Sequence, residues 1–331
     1  MKLRDLLVCF LVVILGVGAA AQDVHFTQFD MLPTQYNAAQ TGAFEGTYRI
    51  GFVYRGQWFS GVTNGIQTPA LYADVPFNGF RKMDWIGIGL NVYQDKIGAS
   101  ALTNTLTGLS LAYHFALDKR REQVFSFGLS GSYVQRKIDL TTLAFQDGIQ
   151  TGTTSVDAKN IDDGRKYIDF NLGVDFRSKI DKFNSYNVGV AMDHFLSPGY
   201  NLERSSIAKF PARFTLHGQF TTELNKSLSF MPGVLFQSVA GVTEAMVQAI
   251  AGFKLDKEKT LRGGIGYRVG DAAQLIAGLD YGDFRVSAAY DVTLTDLRKP
   301  GVHDGFEIGL MYIGKVFKTP NPPAVILCPR F

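Results

Sequence analysis

The sequence is poor in cysteine and nearly balanced in charge. Only two cysteines, Cys9 and Cys328, occur in 331 residues, and the formal net charge is +3. Because Cys9 lies in an N-terminal apolar run that we expect to be removed, Cys328 has no partner for an intrachain disulfide. The small net charge gives no reason to expect nucleic acid as a partner.

Motifs that carry chemistry are also missing from the sequence. No Gly-x-Ser-x-Gly nucleophile motif occurs. The pair Gly87 and Gly89 lies inside an alternating segment and opens no helix, so it is not a nucleotide-binding loop. The histidines are scattered without the spacing of a metal site: His25, His114, His194, His217 and His303. We therefore expect no enzyme activity, no cofactor and no bound metal.

The N-terminus has the three parts of a secretory signal peptide. Lys2 and Arg4 supply positive charge, residues 6–17 are apolar, and residues 19–21 are three alanines. A membrane anchor is the competing interpretation. However, the apolar run from 6 to 21 is shorter than the roughly 20 residues that span a bilayer as a helix. We predict that residues 1–21 are removed and that the mature chain begins at Gln22.

The mature chain alternates between apolar and polar residues with a period of two. In residues 167–177, Ile168 and Phe170 fall on one face, whereas Asp169 and Asn171 fall on the other. A soluble sandwich alternates too, but here the second face carries Asp, Arg, Asn, Gln and Gly. This pattern fits a barrel with lipid outside and a polar interior.

Fourteen such segments predict an all-β fold, a transmembrane antiparallel up-and-down β-barrel of about 14 strands. The longest connections are the fifth, seventh and thirteenth, as expected if long loops face outward and short turns face the periplasm. Trp58, Trp85 and tyrosines near segment ends fit interfacial aromatic belts. The segments are 47–57, 66–76, 85–93, 104–115, 124–136, 167–177, 185–194, 210–221, 227–238, 244–254, 259–268, 273–281, 283–293 and 305–315.

Four regions follow from this pattern. They are a signal peptide (1–21), an N-terminal periplasmic or plug segment (22–45), an outer-membrane β-barrel (46–317) and a Pro-rich C-terminal tail (318–331). The prolines of the tail exclude a helix or a central strand there. The parity of the connections predicts that both termini are periplasmic. Two interpretations stay open: the terminal segments plug the barrel or fray below it, or they hold a periplasmic partner.

The opening of the mature chain carries a distinctive block of residues. It reads His-Phe-x-Gln-Phe at 25–29, then Pro33, Asn37, Ala39 and Gly42, then Tyr-Arg-x-x-x-x-Tyr-Arg-x-Gln-Trp at 48–58. The chain closes with Cys-Pro-Arg-Phe at 328–331. In these features the sequence resembles the PorP/SprF family of the Bacteroidota type IX secretion system. It departs from that family at Ala38, where members usually have proline.

The resemblance implies a non-enzymatic outer-membrane component of protein secretion. The partners that it implies are periplasmic type IX secretion proteins, a secreted surface protein such as a gliding adhesin, and outer-membrane lipid. The residues that we expect to bind a partner lie in the two terminal segments: Gln28, Phe29, Asn37, Cys328, Arg330 and Phe331.

A diffusion channel or a transporter of hydrophobic substrates is the alternative function. Charged residues predicted to face the lumen would then line an aqueous pore, or they would pair across a closed interior. These residues are Asp169, Arg177, Arg213, Arg262, Arg268, Asp280 and Arg285. A channel predicts steady conductance in planar bilayers, whereas a secretion component predicts co-purifying partners and little conductance.

Overall fold

The barrel wall has fourteen strands in the part of the chain that the computed structural model describes, residues 24–58, 65–98, 102–140, 161–200, 202, 209–294 and 305–316. The strands are β1 (Tyr48–Gln57), β2 (Ile66–Asn78), β3 (Trp85–Ile97), β4 (Leu102–Ala116), β5 (Gln123–Lys137), β6 (Gly164–Lys179), β7 (Asn184–Asp193), β8 (Arg213–Glu223), β9 (Leu228–Val239), β10 (Val242–Lys254), β11 (Lys259–Arg268), β12 (Ala272–Tyr281), β13 (Phe284–Thr293) and β14 (Gly305–Gly314). Each strand pairs with its sequence neighbours, and β1 also pairs with β14. The sheet is closed, so its backbone groups are satisfied without water.

The predicted strand number and antiparallel order are confirmed, and strand ends differ by a few residues. β6 begins at Gly164, before the predicted position 167, because Arg165 and Lys166 still pair with β5. β8 begins at Arg213, after the predicted position 210. Pro211 explains the later start, since proline has no backbone N–H to donate to a neighbouring strand.

The outer face of the wall is mostly apolar, and most residues of the inner face are small or polar. Leu109 on β4 and Leu129 on β5 are 65% and 47% exposed, whereas the adjacent Ser110 and Ser130 are buried. An outer surface of this kind is stable in a lipid bilayer. No helix within the described ranges is long and apolar enough to cross a membrane.

The two ends of the barrel differ in the lengths of their connections. The turn end carries the short connections 79–84, 117–122, 180–183, 224–227, 255–258 and 282–283. The loop end carries the longest ones, 138–163, 194–212 and 294–304, which agrees with the predicted parity. β1 starts and β14 finishes at the turn end. That this end faces the periplasm stays a prediction.

Residues 24–47, here called the lumen segment, lie inside the barrel before the chain enters β1. They form three short helical turns, Phe29–Met31, Pro33–Tyr36 and Ala38–Gln40. Thr27 contacts Glu307, which lies near the loop end of β14. Glu45 contacts Lys179, the last residue of β6 at the turn end. The segment therefore runs down the lumen from the loop half to the turn end.

Candidate functional site

The lumen segment begins on a group of buried charges in the loop half of the barrel. The backbone N–H groups of Thr27 and Gln28 donate to the two carboxylate oxygens of Glu307. The Thr27 hydroxyl donates to Asp291 at 2.6 Å. A carboxylate that accepts bonds from charged or backbone donors makes stronger bonds than a neutral acceptor does. We call the wall residues involved the charge cluster: Arg55, Arg268, Asp291 and Glu307.

Two arginines neutralise the carboxylates of the charge cluster. Arg55 donates to Glu307 at 2.6 Å and to Asp291 at 3.1 Å, and Arg268 donates to Asp291 at 3.2 Å. All four side chains are at most 4% exposed. Buried charges are stable only when they are paired and their remaining bonding positions are filled. The backbone N–H groups of Thr27 and Gln28 fill those positions on Glu307, so the segment and the cluster depend on each other.

An apolar layer lies next along the lumen segment. The Tyr36 hydroxyl accepts from the Phe26 N–H at 2.8 Å and donates to the Phe26 carbonyl at 3.0 Å, which ties the segment to itself. The alternation of the strands predicts a polar interior, and this prediction is wrong at the apolar layer. The layer comprises Phe26, Phe29, Met31, Leu32 and Tyr36 packed on Val53, Ala70, Tyr72, Leu235, Met246 and Met311.

Asn37 joins the lumen segment to three strands. Its amide nitrogen donates to the Val174 carbonyl of β6 at 2.9 Å and to the Val190 carbonyl of β7 at 3.4 Å, and it lies 3.0 Å from Nε2 of His217 on β8. Its carbonyl oxygen accepts from the Ala39 N–H at 2.9 Å, which caps the turn that follows. The side chain is 1% exposed. All of its contacts are thus made within the barrel.

Glycines on the inner face of the wall give the segment room. A Cβ at Gly128 would overlap the backbone of Ala38 and Ala39, and one at Gly173 would overlap the Asn37 side chain. Each glycine allows the segment to approach the strand backbone directly.

Gly128→Ala tests this fit against a matched substitution. The added methyl group has no space, so we expect Gly128→Ala to lower the free energy of unfolding by about 1–3 kcal/mol, the usual cost of overpacking. A Cβ at Gly263 meets nothing within 4 Å, so Gly263→Ala should be neutral or slightly stabilising. Urea unfolding of both variants in lipid vesicles measures the difference. Equal stabilities would contradict the proposed contact.

Near the turn end, the lumen segment contacts β2, β3 and β4 before the chain enters β1. Thr41 donates its hydroxyl proton to Ser110 at 2.9 Å, and its carbonyl accepts from His114 Nε2 at 2.8 Å. The Gly42 N–H donates to Asp74 at 2.6 Å. Gly42 has a φ of +73°, a conformation that favours glycine. The turn end of the segment is thus held by backbone and side-chain bonds together.

Trp85 corrects one prediction from the sequence. It lies on the inner face, where its indole N–H donates to the Gly42 carbonyl at 2.9 Å and its ring stacks on His114. It is therefore a contact of the lumen segment and not a member of an interfacial belt. Its position near a strand end does not distinguish these two roles, because both faces of a strand reach the interface.

The residues predicted to bind a partner are placed as follows. Gln28, Phe29 and Asn37 are buried in the lumen at 1%, 8% and 1% exposure. The Gln28 amide has no hydrogen-bond partner among the described residues. The other three, Cys328, Arg330 and Phe331, lie outside the described residues. Partner binding by these six residues stays a prediction, and for the first three it requires the segment to leave the lumen.

The charged residues predicted to face the lumen each have a partner within the barrel, in most cases on a neighbouring strand. Arg262 binds Asp30 of the lumen segment at 3.1 Å, and Arg177 donates to the Ala43 carbonyl at 2.7 Å. The other five also have partners within the barrel: Asp169 with His194, Arg213 with Asp193, Arg268 with Asp291, and Asp280 with Arg285. The described residues contain no group of three or more His, Cys, Asp or Glu that could hold a metal ion.

The acceptors that hold the segment are not among the site residues predicted from the sequence. Glu307, Asp291 and Asp74 each fall on the polar face of a strand, so the alternation does indicate that they face inward. Nothing in the local pattern indicates that their partners are backbone N–H groups far away in the sequence.

A family model for type IX secretion system membrane proteins, PorP/SprF, matches residues 18–312. The chain belongs to this family. The PorP/SprF opening block now has a structural meaning, because its residues on the lumen segment meet its residues on β1. Arg55 binds the carboxylate that accepts from Thr27 and Gln28, and Arg49 donates to the Gln40 carbonyl at 3.2 Å.

Solved barrels share the fold of this PorP/SprF protein at low identity. The toluene transporter TbuX of Ralstonia pickettii is 11% identical, with a TM-score of 0.51 over 85% of this chain and 92% of that one. The monoaromatic hydrocarbon channel CymD is 10% identical, with a TM-score of 0.56 over 93% and 97%. The P. putida toluene transporter TodX is 10% identical, with a TM-score of 0.51 over 86% and 93%. A comparison with curated protein sequences gives no match.

Proposed function

We propose that this PorP/SprF protein is a non-catalytic outer-membrane component of type IX secretion that binds periplasmic secretion proteins, a secreted surface protein, or both. Family membership supports the secretion role. One observation supports this mode of action: the part of the opening block that precedes β1 occupies the lumen. A lumen filled in this way is unsuited to pass a folded protein. Partners would then meet the ends and the outer face of the barrel.

We further propose that the turn end faces the periplasm. Outer-membrane barrels place short turns on that side and long loops outside. β14 finishes at the turn end, where the Val316 N–H donates to the Thr47 hydroxyl at 2.9 Å. The predicted partner residues Cys328, Arg330 and Phe331 follow in the sequence. We assign them to the periplasmic side.

A diffusion channel is the competing function. The likeness to hydrocarbon channels concerns the fold, because identities near 10% carry no functional argument. The contacts of the lumen segment support the closed alternative, since they run from the charge cluster in the loop half to Glu45 at the turn end.

A pull-down combined with conductance measurements tests the proposed function. Tagged protein would be isolated from outer membranes in mild detergent, and its bound partners would be identified by mass spectrometry. We expect stoichiometric type IX secretion proteins or a large exported surface protein, and little conductance in planar bilayers. A barrel that is repeatedly recovered alone and conducts steadily would favour the channel.

A further inference from the structure

Two neighbouring connections at the turn end differ from the others. Connections 79–84 and 117–122 have six residues each, whereas the remaining ones have four or two. The four-residue connections follow one simple pattern, in which Asp181, Asn225 or Asp256 accepts two backbone N–H groups from the residues after it. The two six-residue connections are in addition bonded to each other, through Arg121 and the Lys82 carbonyl.

Asp84 is the centre of this junction. Its carboxylate accepts from Arg81 at 2.7 Å, from the Tyr113 hydroxyl at 2.9 Å and from the Ala116 N–H at 3.1 Å. The bond from Arg81, followed by the bonds from Tyr113 and Ala116, lowers the pKa of Asp84 to about 2. Arg81 also donates to the Ala116 carbonyl at 3.0 Å. Connection 79–84 is therefore bonded to the end of β4, where connection 117–122 begins, and we call these two connections together the frame.

The frame displays four exposed cations, here called the basic turn surface: Lys82, Lys119, Arg120 and Arg121. None of them forms an ion pair within the described part of the chain. The Asp118 carboxylate is engaged by the backbone N–H groups of Arg120 and Gln123, which leaves Glu122 as the nearby carboxylate without such bonds. The surface is therefore positively charged.

One member of the basic turn surface, Arg121, lies beside the mouth of the lumen. Arg121 has a φ of 58° and donates to the Lys82 carbonyl at 3.4 Å. Its guanidinium lies over the ring of Trp85, 5.4 Å from the ring centre. Because Trp85 faces the lumen and donates to Gly42, Arg121 projects over the mouth and away from the lipid-facing wall. This position favours a soluble protein over a lipid headgroup as the occupant.

We propose that the basic turn surface docks an acidic segment of a soluble periplasmic protein, an inference that rests on the proposed function. Four unpaired cations on one frame are complementary to clustered carboxylates, and such complementarity steers association and selects partners. The bonds that hold connection 79–84 to β4 reduce the entropy that is lost when the contacts form. A docked partner would be connected to the lumen segment through two residues, because Arg121 lies over Trp85 and Trp85 donates to the Gly42 carbonyl.

The test reverses charge on the surface and, as a control, on other connections of the same end. The test variant combines Lys119→Glu and Arg120→Glu. The control combines Lys226→Glu and Lys257→Glu, which are exposed and make no described side-chain contact. Full-length proteins in phosphatidylcholine nanodiscs would be titrated with a short fluorescein-labelled poly-glutamate peptide, and the same variants would be used in the pull-down.

We expect the test variant to bind the peptide about tenfold more weakly than the control and to lose the periplasmic partner that the control retains. Binding by the wild type should also weaken with salt, because the contacts are exposed. If both variants capture the partner equally, the docking surface is wrong while the proposed function stands.

The two proposals fail in distinguishable ways. If the wild type captures no secretion protein, the proposed function fails, and the peptide titration alone decides the docking surface. Equal peptide affinities of the test and control variants would overturn the proposed docking surface. A test variant that binds the peptide normally but loses affinity for phosphatidylglycerol would identify a lipid-headgroup surface, which also overturns the proposal.

Discussion

Glu307→Ala is expected to lower the free energy of unfolding by about 3–5 kcal/mol, the cost of breaking a buried ion pair by removing one partner. The substitution leaves the Arg55 guanidinium with an incomplete set of acceptors. It also leaves the backbone N–H groups of Thr27 and Gln28 without theirs. Urea unfolding in vesicles, followed by tryptophan fluorescence, measures the loss. Trp85 contacts the lumen segment and therefore reports on its release.

Glu258→Ala is the matched control for Glu307→Ala. Glu258 lies exposed in connection 255–258, and its side chain makes no described contact. Its removal should change stability by no more than about 0.5 kcal/mol, as is usual for surface substitutions. If the two variants unfolded at the same urea concentration, Glu307 would not hold the lumen segment.

Deletion of residues 24–43 is expected to raise single-barrel conductance by about tenfold or more, because barrels wider than those whose side chains fill the interior enclose a channel. The wild type should conduct little. The deletion removes the apolar layer and the partners of the charge cluster, and water would then solvate the exposed charges. Planar-bilayer recordings of purified protein measure the change. Heat-modifiable migration on gels shows whether each barrel is folded.

A folded deletion variant that conducts no more than the wild type would contradict the role of the lumen segment as the closure. Where the deletion does not fold, Asn37→Ala provides the same test in a milder form. It removes the bonds to Val174, His217 and Ala39 and keeps the barrel wall intact. We expect frequent transient openings in this variant, as against few in the wild type.

The wall of the barrel was predictable because its pattern is local. In residues 167–177 the inward Asp169 and outward Ile168 follow from the period of two, and β6 contains both as predicted. The parity of the connections then fixed the count, since one missed strand would move every later loop to the other end. Tertiary pairing decided only the strand ends, such as the start of β6.

The filling of the barrel was not predictable from the same pattern. Phe26, Phe29 and Met31 do indicate that the opening block is buried somewhere, but they do not say where. The bond from Arg55 to Glu307 joins residues 252 positions apart, and no local rule links them. The resemblance to PorP/SprF identified the block without explaining it. In the structure, the residues of this block on the lumen segment contact its residues on β1 inside the lumen.

A disulfide trap tests most directly whether the lumen segment occupies the barrel. The Thr41 and Ser110 hydroxyl oxygens are 2.9 Å apart, so Thr41→Cys with Ser110→Cys should place two sulfurs within bonding reach in a Cys328→Ser background. The control combines Thr41→Cys with Ser287→Cys, which lies on the inner face of β13. In outer membranes, we predict a disulfide in the first variant and free thiols in the control. Free thiols in both variants would contradict a segment held in the lumen.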